Sequence, residues 1–106
     1  MSDEIIIPNI QISGEIIAEF CQEHHIHRLA LFGSVLRDDF GPDSDVDVLV
    51  VFEPNIPVGF FKFIRVQNAL GKLLGHEVDL NTAGFLNSHF RQQVIDSARV
   101  IYEHTG

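Results

Sequence analysis

Residues 29–52 read Leu-Ala-Leu-Phe-Gly-Ser-Val-Leu-Arg-Asp-Asp-Phe-Gly-Pro-Asp-Ser-Asp-Val-Asp-Val-Leu-Val-Val-Phe. An apolar run, Leu29 to Phe32, ends in a Gly-Ser turn at Gly33 and Ser34. A second apolar run, Val46 to Phe52, opens on two aspartates, Asp45 and Asp47. Short apolar runs bounded by Gly, Pro, Asp and Ser are expected to be strands joined by a loop. Strand side chains alternate faces, so Asp45 and Asp47 project the same way, about 7 Å apart along the strand. Two like charges on one face repel unless a cation lies between them, and hard carboxylate oxygens suit Mg²⁺ or Mn²⁺. The Gly-Ser turn offers backbone N–H groups, a hydroxyl and close backbone approach, which is what a phosphate chain requires. Metal-binding carboxylates beside a phosphate cradle point to phosphoryl or nucleotidyl transfer.

Outward from this centre, helix-period and strand-like segments alternate. Residues 1–11 form a short apolar tail ending near Pro8-Asn9. Its Ile5-Ile6-Ile7 reads equally as a small strand, a core-packed tail or an exposed docking patch. Ser13 is placed to cap a helix, with Glu15 in the first turn and Ile16, Ile17, Phe20 and Cys21 on one face. That helix should end near His24 or His25. A first strand is expected over 28–32 and a short helix from Ser34 to Arg37, its N-terminal end aimed at the phosphate position. The second strand covers 46–52. A helix spans 60–74, turning Phe60, Phe63, Val66, Leu70, Leu73 and Leu74 to the sheet and stopping at Gly75. A third strand over 76–80 follows, then a helical turn at 83–86. A helix capped by Asn87 or Ser88 runs to about Ala98, before a last short strand over 99–102. This order predicts an α/β (α+β) fold, a small mixed sheet of about four strands flanked by helices.

Gly33-Ser34, ten intervening residues and Asp45-Val46-Asp47 before an apolar strand resemble the signature of the DNA polymerase beta-like nucleotidyltransferase superfamily. Arg37 and Pro42-Asp43-Ser44 fit the pattern between. The closest resemblance is to its minimal nucleotidyltransferases, through Glu77-Val78-Asp79-Leu80 and the helix at Phe90-Arg91-Gln92-Gln93-Val94-Ile95. The resemblance implies the polymerase beta-like fold and three carboxylates. Asp45 and Asp47 would hold two Mg²⁺ ions, and Asp79 would sit at the catalytic ion beside the attacking hydroxyl. It further implies ATP as donor and, as partner, a HEPN-domain toxin whose tyrosine receives AMP, the chain acting as its antitoxin in a hetero-oligomer.

The residues themselves leave choices open. Glu77 has the same strand parity as Asp79, and it is the resemblance that favours Asp79, since Val-Asp-Leu is the family's form. Ser34 can bond a phosphate and cap a helix at once. Arg37 can fork onto phosphate oxygens or pair with Asp38, Asp39 or Asp43. Asp43 and Ser44 shape the turn. A calcium loop starting at Asp43 is excluded, because Val48 and Pro54 stand where that loop needs Gly and Glu. His24, His25 and His27, one turn from Cys21, have zinc-ligand chemistry, but they sit at a helix exit, where cationic side chains are simply comfortable. His76, His89 and His104 stand apart in the sequence. Cys21 reads as a buried apolar group. Neither a Gly-Lys-Ser/Thr phosphate loop nor a Gly-x-Gly-x-x-Gly dinucleotide motif occurs.

Composition bounds the rest. A chain of 106 residues, 45% apolar with nine Phe, is expected to be one domain, residues 1–106, with one packed core. Seven Lys and Arg against fifteen Asp and Glu give a net charge of −8, which argues against direct nucleic-acid binding. The longest apolar runs fall short of a membrane span, Met1-Ser2-Asp3-Glu4 lacks the basic start of a signal peptide, and one cysteine precludes an internal disulfide. A cytoplasmic enzyme is expected, its acceptor surface supplied by the partner. Two rivals are a non-catalytic module that neutralises a partner by contact and a small-molecule nucleotidyltransferase of the aminoglycoside type.

Overall fold

The computed structural model describes residues 4–86 and 88–104, with Phe85 known by its backbone alone; Asn87, a candidate helix cap, lies outside the described residues. Strands β1 (Glu4–Ile7) and β2 (Ile10–Ser13) form a hairpin where the sequence suggested a tail. Pro8 and Asn9 make its turn, and Asn9 adopts φ 73. Pro followed by a residue at positive φ is the chemistry of a type II turn, and Asn tolerates that conformation. Helix α1 (Gly14–Glu23) starts where Ser13 Oγ accepts the Glu15 N–H at 3.2 Å. Strand β3 (Ile26–Phe32) begins two residues earlier than apolar patterning indicated, since a register irregularity between Ile26 and Arg28 leaves His27 and Arg28 as consecutive non-buried residues. A 3₁₀ turn (Gly33–Leu36) takes the place of the expected short helix. Strand β4 (Val46–Phe52), helix α2 (Phe60–Leu74), strand β5 (Val78–Asn81), a second 3₁₀ turn (Ala83–Phe85), helix α3 (Ser88–Ser97) and strand β6 (Arg99–Glu103) complete the order.

The main sheet has the order β5-β4-β3-β6. Strand β3 pairs antiparallel with both β4 and β6, and β4 pairs parallel with β5. A parallel pair needs a crossover, and α2 supplies it. Gly75 ends α2 in the left-handed conformation, φ 75, with its N–H on the Gly71 carbonyl at 2.8 Å. On one face, Leu29 and Leu31 of β3, Val46, Val48 and Val50 of β4 and Val78 and Leu80 of β5 join Ile17 and Phe20 of α1 and Val66 and Leu70 of α2 in one core. Strict alternation therefore sends Asp47 and Asp79 to the other face. The outer edge of β5 is tied to α2 through Gln67 Oε1, which accepts the Leu80 N–H at 3.0 Å.

Two expected core positions differ. Ile16 is 45% exposed and Phe60 73% exposed. Phe60 lies in the first turn of α2, and its ring meets Phe61 edge-on at 6.0 Å. Of the Ile5 to Ile7 run, Ile7 is buried and only Ile6 projects into solvent, because hairpin pairing alternates the faces. Among the described residues no helix is long and apolar enough to cross a membrane.

Candidate active site

The turn after β3 and the first residues of β4 and β5 meet at one end of the sheet. Phe32 pairs with Asp47 across the antiparallel β3–β4 ladder, so Gly33 follows directly over the Asp47 side chain. Gly33 has φ 80, and a Cβ there would run into the Asp47 carboxylate. Glycine is required twice over, for the left-handed backbone and for the close approach. On the other side of β4, Asp47 pairs with Asp79 in the parallel ladder, each on the solvent face of its strand. Asp45 precedes β4 and is exposed, as is Asp79, whereas Asp47 is half-buried.

This arrangement raises the Asp47 carboxyl above its ordinary value. Burial is the largest cause, followed by the negative charges of Asp79 and Asp45; Arg37 opposes the shift. Two further carboxylates, Asp79 and Asp45, thus act on Asp47, and Glu77 is not among the groups that do. Although Glu77 shares the parity of Asp79, it precedes β5 and its carbonyl accepts the Val46 N–H at 2.9 Å. Its flank borders a cleft of about 550 Å³ between the Pro42 turn and α2, shared with Gln67, Lys72 and His76. Asp45, Asp47 and Asp79 do not line that cleft.

Ser34 sits in the 3₁₀ turn, its carbonyl accepting the Arg37 N–H at 2.9 Å. Arg37 places Nε 3.2 Å from Asp39 Oδ1, and the pair is largely solvent-exposed. The arginine therefore takes the local ion pair while still acting on Asp47 from a distance. Ser44 braces the intervening loop, its Oγ accepting the Gly41 N–H at 3.0 Å. A contact the sequence did not reveal holds the turn from the far side. Asn9 of the hairpin donates to the carbonyls of Val35 and Arg37 at 2.8 and 2.9 Å. The donor set, carboxylate oxygens that repel one another on an accessible face, fits a hard divalent cation.

The His24-His25-His27 group does not assemble. Glu23 takes His24, whereas His27 turns toward Glu53 and His104 at the opposite end of the sheet. No periodicity signals this cluster, because three strands contribute it.

The nucleotidyltransferase domain model matches residues 14–102, and the chain belongs to that family. It falls among the minimal members. Protein adenylyltransferase MntA of Thermococcus cleftensis is 38% identical over 77 residues, 73% of this chain and 76% of its own. A solved structure described as a candidate minimal nucleotidyltransferase is 35% identical, with a TM-score of 0.65 over 80% of this chain and 85% of that one. A toxin–antitoxin structure with AMP-PNP shares the fold at 18% identity, with a TM-score of 0.68 over 89% and 76% of the two chains. The chain is an enzyme of the nucleotidyltransferase class.

Proposed function

We propose that this chain transfers AMP from ATP to a tyrosine hydroxyl on a HEPN-type toxin and thereby acts as its antitoxin. The observation that carries the reading is the direct register of Asp47 with Asp79, with Gly33 pressed against Asp47. It gathers the Gly33-Ser34 turn and three acids at one sheet end. The adenylyltransferase relative and the AMP-PNP-bearing toxin–antitoxin fold neighbour support the same chemistry.

Asp45, Asp47 and Asp79 would hold Mg²⁺, which supplies charge neutralisation for the triphosphate and the developing oxyanion when bound. The Gly33-Ser34 turn binds the β- and γ-phosphates through backbone N–H groups and the Ser34 hydroxyl. Arg37 adds positive charge on the same side. The tyrosine oxygen attacks the α-phosphorus, the bond from that phosphorus to the bridging oxygen breaks, and pyrophosphate leaves. Asp79, exposed at the strand edge, accepts the hydroxyl proton. The protein contributes position and charge, as in phosphoryl transfer generally.

A surface at −8 repels polynucleotides and favours a partner with a basic face. The test is incubation with α-labelled ATP, Mg²⁺ and the protein encoded beside it. Label on a partner tyrosine is expected. Label confined to RNA ends or to a small alcohol overturns the proposal. Full neutralisation of the partner by an Asp45→Asn, Asp47→Asn double variant would instead make contact alone the antitoxin activity.

A further inference from the structure

We propose that His27, Glu53 and His104 form a Zn²⁺ site at the end of the sheet opposite the acid cluster. His27 is the second residue of β3, Glu53 follows β4 directly and His104 follows β6 directly. These three strands are neighbours, with β3 in the middle. One potential ligand atom from each side chain lies within 4.8 Å of the other two. The backbone beneath them is fixed: the His104 N–H reaches the His27 carbonyl at 2.8 Å, and the Glu53 N–H reaches the His25 carbonyl at 2.8 Å.

The polar accounting within the cluster is incomplete without a further group. Glu53 Oε1 lies 2.7 Å from His104 Nδ1 but 3.7 Å from His27 Nδ1. His27 Nδ1 is shielded from solvent and has no hydrogen-bond partner among the described residues. A buried ring nitrogen left unpaired is costly, and a shared cation satisfies both imidazoles and the carboxylate at once. Two imidazole nitrogens and one carboxylate are a borderline donor set, suited to Zn²⁺ and poorly suited to Mg²⁺. Zn²⁺ bonds of about 2.0–2.2 Å require side-chain rotations on the order of 1 Å to close the triangle. Glu53 and His104 are partly exposed and have room for them. Cys21 borders the adjoining 250 Å³ pocket but stays outside the ligand set, because its sulfur is not among the ligand atoms gathered within 4.8 Å. Three protein ligands leave a fourth position for water.

Six residue steps along β3 separate His27 from Gly33, about 20 Å at strand rise. The site is thus independent of the acids, and its effect is to clamp three strand ends together. Isothermal titration of the full chain with Zn²⁺, in saturating Mg²⁺ to occupy the acids, tests this. One Zn²⁺ per chain with a micromolar or lower Kd is expected. His27→Ala, His104→Ala and Glu53→Gln should each weaken binding by about tenfold or more, and His89→Ala should leave it unchanged. Circular dichroism verifies the fold of each variant, and the near-isosteric Glu53→Gln keeps the test valid if a histidine variant misfolds. Co²⁺ at the site should give the intense visible absorption of a four-coordinate centre. Millimolar binding, equal binding by His27→Ala and His104→Ala, or displacement of Zn²⁺ by excess Mg²⁺ would each overturn the proposal.

Discussion

Asn9 donates a hydrogen bond from Nδ2 to the carbonyl of Arg37, 2.9 Å away and 28 residues along the chain. A second bond from the same nitrogen, to Val35, makes the hairpin turn a support for the Gly-Ser turn. Asn9→Asp keeps the size and the tolerance of φ 73 but replaces the donor with an acceptor facing two carbonyls. Two lost hydrogen bonds amount to about 1–3 kcal/mol. Thermal unfolding should shift down accordingly. The KM for ATP should rise more than kcat falls, because the turn is proposed to bind phosphate. An unchanged KM with lowered stability would make Asn9 purely structural.

The Asp47 carboxyl carries a pH signature. Its folded pKa lies above the ordinary value through burial, Asp79 and Asp45, so the folded state binds this proton more tightly than the unfolded chain does. Stability therefore falls as pH rises from the ordinary carboxylate range, about 4, through the folded pKa, and stays lowered at neutral pH. In EDTA at pH 7, Asp47→Asn should raise Tm, and the gain should shrink as pH approaches 4. Turnover in Mg²⁺ should drop about 100-fold or more, the scale on which removing one charge-stabilising group acts. A Tm difference independent of pH between 4 and 7 would contradict the electrostatic cause.

Asp79 and Glu77 differ by two residues and separate cleanly in prediction. Asp79 faces Asp47 across the ladder, whereas Glu77 borders the cleft on the α2 side. Asp79→Ala should reduce kcat about 100-fold or more while ATP still protects the protein against thermal unfolding. Glu77→Ala should change kcat less than about threefold. Steady-state kinetics of both variants decides the matter, and the reverse order would move the third carboxylate to Glu77.

What could be read in the chain followed the range of the signal. Gly33, Asp45 and Asp47 lie within fifteen residues, and alternation alone aligns the acids with the apolar strand behind them. The stop at Gly75 and the cap at Ser13 are equally local. The pairing of Asp47 with Asp79 depends on the parallel register Val46 to Val78, which periodicity leaves undetermined. The reach of Asn9 and the meeting of His27, Glu53 and His104 come from strand order, so no window of sequence holds them. Phe60 matched the helical period of the buried face, yet at the first position of α2 it is exposed.

Gly33→Ala tests how the close approach and the backbone conformation combine. A left-handed backbone costs an alanine about 1–2 kcal/mol. The added methyl also displaces the Asp47 carboxylate, which its Cβ would otherwise penetrate. The single variant should lose about 2 kcal/mol or more, roughly 8 °C or more in Tm for a domain of this size, and should lose activity. In a Gly33→Ala, Asp47→Ala double variant the steric part disappears and the conformational part remains. The two substitutions should therefore be non-additive, with a coupling of about 0.5–3 kcal/mol in the direction of relief. Chemical denaturation of the wild type, both single variants and the double variant measures that coupling. Strict additivity would show that the turn moves away from Asp47 at no cost, and the tight seat proposed for the phosphate chain would then be wrong.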